Sequence, residues 1–286
     1  MKLRSPVRWF GGKGQMLAKL LPIVPQGGKP YCEPYCGGAS LFFARDPAPV
    51  EVLNDLNGDL VNLFRCFQDR EMFEDLRHRL MWTPYARAEF IRALEIRDSN
   101  ETDPVLRAWA FFVVQNQGMS GMAKTAGNWS RVFYSSAGVA DNVNKWFMRL
   151  SMLDAWRWRL MHAQIDNRDA LEVIRYWDSV DTVFYIDPPY HHDTRKTTDA
   201  YTHECEHEHH VQLVNVMLEC KGAVVLSGYA HDVYKPLEDA GWERIDFEIA
   251  CHAAGRTRNS GLQGKGAALK KVKRVECVWR NPAAMK

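Results

Sequence analysis

The run Val183-Phe184-Tyr185-Ile186 stops in Asp187-Pro188-Pro189-Tyr190, and this junction constrains the fold more than any other stretch. The apolar run is too short for a buried helix, and two successive prolines end either a helix or a strand ladder. Thr182 to Ile186 and Ala223 to Ser227 are both short apolar runs of the kind found in parallel strands covered on both faces. Parallel strands need crossover connections, so the expectation is an α/β chain. Open sheets of that class place ligands outside the carboxyl ends of their strands. There the prolines remove N–H donors, which leaves carbonyl groups and the Asp187 carboxylate as acceptors. Tyr190 adds a face on which a planar ring can stack. Acceptors beside a stacking surface suit the exocyclic amine of a nucleobase. The plainer reading is a strand-end turn that happens to hold two prolines.

A second strand and loop repeat the arrangement. A short strand from Pro30 to Glu33 enters Glu33-Pro34-Tyr35-Cys36-Gly37-Gly38-Ala39-Ser40, and a helix with Leu41, Phe42 and Phe43 follows. Glycines between a strand and a helix let the backbone approach a ligand closely. Val50 to Asn54 reads as another strand, and Asp55 follows it, 22 positions after Glu33. An acid there can hold ribose hydroxyls. The loop lacks the G-x-G-x-x-G spacing, which disfavours a nicotinamide cofactor. Its acid also disfavours a pyrophosphate and suits a nucleoside that carries positive charge. Trp9-Phe10-Gly11-Gly12-Lys13 is not a triphosphate loop, because Val7 stands where glycine is needed and Gly14 follows the lysine.

The remaining pattern divides the chain. A helix from Lys13 to Leu21 and another from Leu60 to Phe67 are expected. From about 70 to 162 the texture is helix after helix, with Thr83 and Pro84 read as a cap and first-turn proline before Ala86, Phe90 and Leu94. Gln117 to Ala137 breaks this pattern with glycines and polar residues, as a hairpin or loop would. Strands and helices alternate again after 163, and Val272 to Trp279 reads as a final strand. The expected plan is an α/β core from 1–68 and 163–286, interrupted by a mainly helical insert at 69–162.

Charge is informative only by position. The 37 Lys+Arg and 35 Asp+Glu give a net charge of +2. Residues 1–31 hold six basic groups and no acid, and residues 252–286 hold nine against one acid, Glu276. Two basic ends can contact a polyanion despite a near-neutral total. Arg256, Arg258 and Lys265 lie among glycines and Asn259, as in a flexible phosphate-contacting loop. The alternative is a solvated surface with basic tails. No stretch reaches the roughly 18 apolar residues of a membrane span. The start of the chain lacks a secretory pattern, and seven scattered cysteines read as reduced thiols. A cytoplasmic, nucleoid-associated protein without membrane contact is expected, as a monomer or weak dimer.

In order, Trp-x-Gly-Gly-Lys, Glu-Pro-x-x-Gly-Gly, an insert and Asp-Pro-Pro-Tyr resemble the Dam-like, alpha-group DNA adenine-N6 methyltransferases over nearly the whole chain. The resemblance implies a Rossmann-like class I methyltransferase sheet with an inserted, mainly helical target-recognition domain. It implies S-adenosylmethionine as cofactor, double-stranded DNA as partner and no metal. Carried over, Trp9, Lys13, Glu33, Pro34, Cys36, Gly37 and Gly38 are cofactor contacts, and Asp55 is the ribose acid. Asp169 matches the acid that holds the cofactor's adenine amine, although Ala170 replaces the family's usual aromatic neighbour. A helix cap is the other reading of Asp169. Asp187 and the Pro188 carbonyl would accept from the amine of an adenine flipped out of the duplex, with Pro189 and Tyr190 completing the catalytic motif.

The insert would then read sequence. Gln115, Asn116, Gln117, Ser120, Lys124, Asn128 and Arg131 are candidate DNA contacts, since amides pair with adenine and cations with guanine. Lys124 stands where GATC-reading relatives commonly carry arginine, so another target is expected. A polar exposed hairpin is the structural alternative. His203 to His210 mimics a metal cluster, but its spacing matches no zinc site and it leads into an amphipathic helix. His191 to His203 reads as a mobile loop beside the target base. Competing functions are an N4-cytosine methyltransferase, which more often has Ser before Pro-Pro, a catalytically silent DNA-binding regulator, and an RNA or protein amine methyltransferase.

Overall fold

The computed structural model describes residues 3–119, 126–191, 206–250 and 273–286. Among them, β1 (Tyr31–Glu33), β2 (Glu51–Asn54), β5 (Ala163–Asp166), β6 (Val183–Ile186), β7 (Ala223–Gly228), β8 (Glu243–Ala250) and β9 (Lys273–Arg280) form one sheet in the order β5-β2-β1-β6-β7-β9-β8. The first five strands in that order run parallel, and β9 is antiparallel to both β7 and β8. This is an α/β sheet of the Rossmann-like kind that the resemblance implies. Strand order reverses between β1 and β6, which opens a crevice at their carboxyl ends. Both strands are buried along their full length, as the short apolar runs require. A two-stranded hairpin, β3 (Ser135–Ser136) and β4 (Val139–Ala140), lies apart from the sheet.

Short helices load the crevice from both sides. A 3-10 turn at Lys13–Gln15 precedes α1 (Leu17–Leu20), so the single expected helix is two pieces. α2 (Ser40–Ala44) follows β1 through a left-handed Ala39 at φ 50°. α3 (Gly58–Gln68), capped by Asn57, follows β2. The crossover to β5 then runs through α4 (Arg70–Met81), α5 (Arg87–Asp98), α6 (Pro104–Gln117), α7 (Asp141–Leu150) and α8 (Leu153–Leu160). α9 (Ala170–Trp177), α10 (His207–Glu219) and α11 (Lys235–Asp239) link the later strands.

One expectation needs correction, and one strand was not expected. Thr83 and Pro84 do not start α5, which begins at Arg87 with Ala86 at its N-cap. The Thr83 hydroxyl donates to the Arg79 carbonyl at 2.7 Å and accepts from Trp109 Nε1 at 2.8 Å, so it closes the end of α4 instead. The strand β8 carries no expectation from the sequence. It is the sheet's edge, with Glu243, Arg244, Asp246 and Glu248 exposed, so its pattern lacks a continuous apolar run.

One hydrophobic core joins the crossover helices to the sheet. It runs from Val7 and Phe42 through Phe73, Phe112, Trp146 and Trp156 to Val183 and Val225. A buried ion pair pins the same junction. Arg159 of α8 pairs with Glu51 of β2, with Nη2 2.7 Å from Oε1, and donates to the Phe42 carbonyl at 3.0 Å.

Candidate active site

The crevice is a cleft of about 1090 Å³, open mouth included. Its wall draws on the segment before α1, on the β1 and β2 ends, on the start of α9 and on the β6 end. Trp9, Lys13, Glu33, Pro34, Cys36, Gly37, Gly38, Asp55, Asp169, Asp187 and Pro189 all line it. Segments far apart in the sequence therefore converge.

The β1 loop is built as a cradle. Gly37 has φ +46°, and a Cβ there would lie 2.6 Å from Trp9 Nε1. A Cβ on Gly38 would lie 2.8 Å from Ser5 Oγ. Both positions exclude a side chain because the Trp9 segment closes directly over the loop. Asp55 holds the loop from the other side, accepting from Gly37 N at 2.8 Å and Asn57 N at 2.9 Å. Cys36 N donates to Asn54 O at 2.8 Å, and burial pushes the Cys36 thiol well above its ordinary value.

Asn54 ties three loops together. Its amide donates to the Pro34 carbonyl at 2.8 Å and the Arg168 carbonyl at 3.0 Å, and its oxygen accepts from Arg168 N at 2.9 Å. Asp169 accepts from Leu171 N at 2.8 Å and Glu172 N at 3.3 Å, so it caps α9 while lining the cleft. The two readings of Asp169 are compatible. Tyr35 and His209 meet across the mouth, hydroxyl to Nε2 at 2.7 Å.

Carboxylates set the electrostatics. Glu33 is 2% exposed, and its Oε1 accepts from the Tyr31 hydroxyl at 2.7 Å and Phe42 N at 2.8 Å. Burial raises its pKa to about 7 although both hydrogen bonds oppose the shift. Asp187 is raised to about 6, chiefly by burial, against the pull of Lys13. Lys13 Nζ lies 2.6 Å from Asp187 Oδ1 and 3.3 Å from Glu276 Oε1. Burial alone would lower its pKa, but the two carboxylates hold it well above the ordinary value.

Tyr190 is buried. Its hydroxyl donates to Glu276, and its ring meets Tyr229 edge-on at 4.6 Å between centroids. Lys13 Nζ sits 4.8 Å from the centroid of the same ring. Asn54, His209, Tyr229 and Glu276 were missing from the sequence-derived site. Glu276 had a signal, being the sole acid among nine basic residues at the chain's end.

Beyond Tyr190 lies a histidine cluster. His191 Nε2 is 3.0 Å from His207 Nδ1, and the His191 ring stacks on His231 with centroids 3.9 Å apart. His210 is fully buried, and burial together with the neighbouring imidazoles pushes its pKa down to about 3. Among the described residues no group of three or more His, Cys, Asp or Glu is arranged to hold a metal ion.

The chain matches, over residues 9–245, the family described as D12 class N6 adenine-specific DNA methyltransferase. The chain belongs to that family. Among curated proteins it is similar to the Type II methyltransferase M1.LlaDCHI of Lactococcus lactis subsp. cremoris, with 36% identity over 69 residues, 24% of each chain. It is also similar to the DNA N-6-adenine-methyltransferase of Escherichia phage P1, with 24% identity over 234 residues, 78% of this chain and 29% of the phage protein. The chain thus spans under a third of the length of these two relatives.

The expected DNA contacts of this family member fare unevenly. Asn116 and Gln117 are 2% and 0% exposed. Asn116 donates to the carbonyls of Pro6 and Phe112, and Gln117 donates to Pro84 O at 3.0 Å and accepts from Trp129 Nε1 at 3.4 Å. These buried amides hold α6 in place and are not base readers. Asn128 and Arg131 lie at the surface segment after Ala126, where Arg131 is exposed and faces the Phe133 ring at 5.6 Å. Ser120, Lys124, Arg256, Arg258 and Lys265 lie outside the described residues, as does His192 to His203 of the loop expected beside the target base.

Proposed function

We propose that the protein transfers a methyl group from S-adenosylmethionine to the N6 amine of adenine in double-stranded DNA. The observation that carries this reading is the Asp187 carboxylate at the end of β6, set in a cleft whose wall holds four carboxylates. Glu33, Asp55, Asp169 and Asp187 against Lys13 suit a nucleoside bearing positive charge, and the Gly37-Gly38 cradle suits close approach of a ligand to the backbone. The donor set therefore fits the cofactor the family uses. When bound, S-adenosylmethionine would supply an electrophilic methyl group on a sulfonium; as the N–C bond forms the S–C bond breaks, S-adenosylhomocysteine leaves as a neutral thioether, and the surplus amine proton passes to solvent.

The chain's own residues do the rest by position and charge. Glu33 would hold the cofactor's ammonium, Asp55 its ribose and Asp169 its adenine amine. Asp187 and the Pro188 carbonyl accept hydrogen bonds from the target amine, which draws the nitrogen lone pair out of ring conjugation. Raised to about 6, Asp187 is a stronger acceptor than an exposed aspartate and is still ionised at neutral pH. Tyr190, buried beside Lys13 and outside the cleft lining, would offer its ring to the flipped base. Residues 69–162 are the sequence-reading part, with Arg131 and the exposed Phe133 and Tyr134 among its surface groups. Phosphate contacts fall to Arg256, Arg258 and Lys265, and the protein works as a monomer or weak dimer at the nucleoid. No helix among the described residues is long and apolar enough to cross a membrane.

Incubation of the purified protein with labelled cofactor and genomic DNA, followed by nucleoside analysis, tests the reading. N6-methyladenine is the expected product. Label in N4-methylcytosine, or none in DNA, would overturn it.

A further inference from the structure

Lys13 stands between two carboxylates, and only Asp187 has a place in the chemistry above. Glu276 reaches the site from β9, is 5% exposed, and accepts from the Tyr190 hydroxyl while lying 3.3 Å from Lys13 Nζ. A buried carboxylate is costly to keep ionised. Anchoring Tyr190 needs only an acceptor, which a neutral amide would supply. The charge of Glu276 must therefore answer to Lys13.

In the resting arrangement Lys13 Nζ sits on Asp187 Oδ1, at 2.6 Å. That is the carboxylate which must accept from the adenine amine. If the amine displaced Lys13 with no second anion present, a buried ammonium would lose its partner. Glu276 already lies within ion-pair distance, so the exchange needs no main-chain movement. Once Lys13 pairs with Glu276, the two are neutral together. The Asp187 charge then faces an amine that becomes more positive during transfer.

We propose that Glu276 is a positioning residue that takes Lys13 from Asp187 as the adenine amine arrives, freeing the carboxylate for the substrate. This rests on the methyltransferase reading of the site. Three variants separate it from a merely structural role. Glu276→Gln keeps an acceptor for Tyr190 and removes the charge, and single-turnover methylation should slow by about 10²-fold. Cofactor affinity by isothermal titration should stay within about threefold. Glu276→Asp keeps the charge at the expense of the Tyr190 bond and should be faster than Glu276→Gln. Carbon-detected NMR of the cofactor-free protein gives a readout without turnover. The Asp187 carboxyl, with a negative neighbour removed, should titrate lower in Glu276→Gln than in the wild type.

A Glu276→Gln protein as active as wild type, or faster than Glu276→Asp, would assign Glu276 to holding Tyr190 and overturn the handover. So would an Asp187 titration that does not move. If the wild type itself methylates no adenine, the functional reading fails instead.

Discussion

Glu33 is held under the β1 loop with two hydrogen bonds to one of its oxygens, yet burial still raises it to about 7. A cationic ligand favours the ionised form, so binding and deprotonation are linked. Below pH 7 each unit of rising pH should tighten S-adenosylmethionine by up to about tenfold, and the gain should level off above that value. Titration calorimetry across pH 5.5 to 8.5 measures the slope directly. Glu33→Gln should bind more weakly and without the slope; a slope that persists would move the linkage to another group. Asp187 makes the companion prediction. Its carboxylate accepts from the amine only when ionised, so single-turnover rates should fall as pH drops through about 6. Asp187→Ala should abolish methylation while leaving duplex binding largely intact in a gel-shift assay. Turnover retained in that variant would defeat the mechanism.

At the scale of elements, Asn54 ties the β1, β2 and β5 ends to one another. Removing that amide strands the Pro34 and Arg168 carbonyls and the Arg168 N–H. Asn54→Ala should cost about 1–3 kcal/mol of stability by urea unfolding and should loosen cofactor binding more than duplex binding. Equal losses in both would place its role outside the cleft. Nothing local in the sequence marks such a residue. Val183 to Ile186 and Ala223 to Ser227 declared themselves because strands buried on both faces leave uninterrupted apolar runs. Asn54 lies in an equally buried strand, but its role depends on where Arg168 returns, 114 residues later. Asn116 and Gln117 misled for a related reason. An amide at the end of an apolar helix reads the same whether it turns outward to a base or inward to Pro6 and Pro84. Lys124, a candidate reader outside the described residues, carries its own test: Lys124→Ala should change the set of methylated sites. Methylation-sensitive sequencing that returns the wild-type set would reject that role.

For the molecule as a whole, position mattered more than total charge. Among the described residues, what meets at Asp187 is Lys13 from the first basic segment and Glu276, the one acid of the last. The same closure bears on how the chain unfolds. Composition and texture divide it into an α/β core and a helical insert, and two such units could melt separately. The packing argues otherwise. Phe67 of α3 contacts both Phe73 of α4 and Trp156 of α8, and Trp156 Nε1 donates to the Arg4 carbonyl at 2.7 Å. Arg149 of α7 reaches the carbonyls of Ser5 and Pro6 at 3.2 and 3.1 Å, so the N-terminal segment that lines the cleft is held by the insert. The Arg159 to Glu51 pair crosses the same boundary, and breaking a buried pair of this kind costs about 3–5 kcal/mol. The larger core and the anchoring of the N-terminal segment both draw on the two parts together. Differential scanning calorimetry should therefore give one transition, with calorimetric and van't Hoff enthalpies equal, and a cofactor analogue should raise it as a unit. Glu51→Ala should lower that single midpoint without splitting it. Two resolved transitions, of which only one responds to the analogue, would mean that the insert folds independently of the sheet.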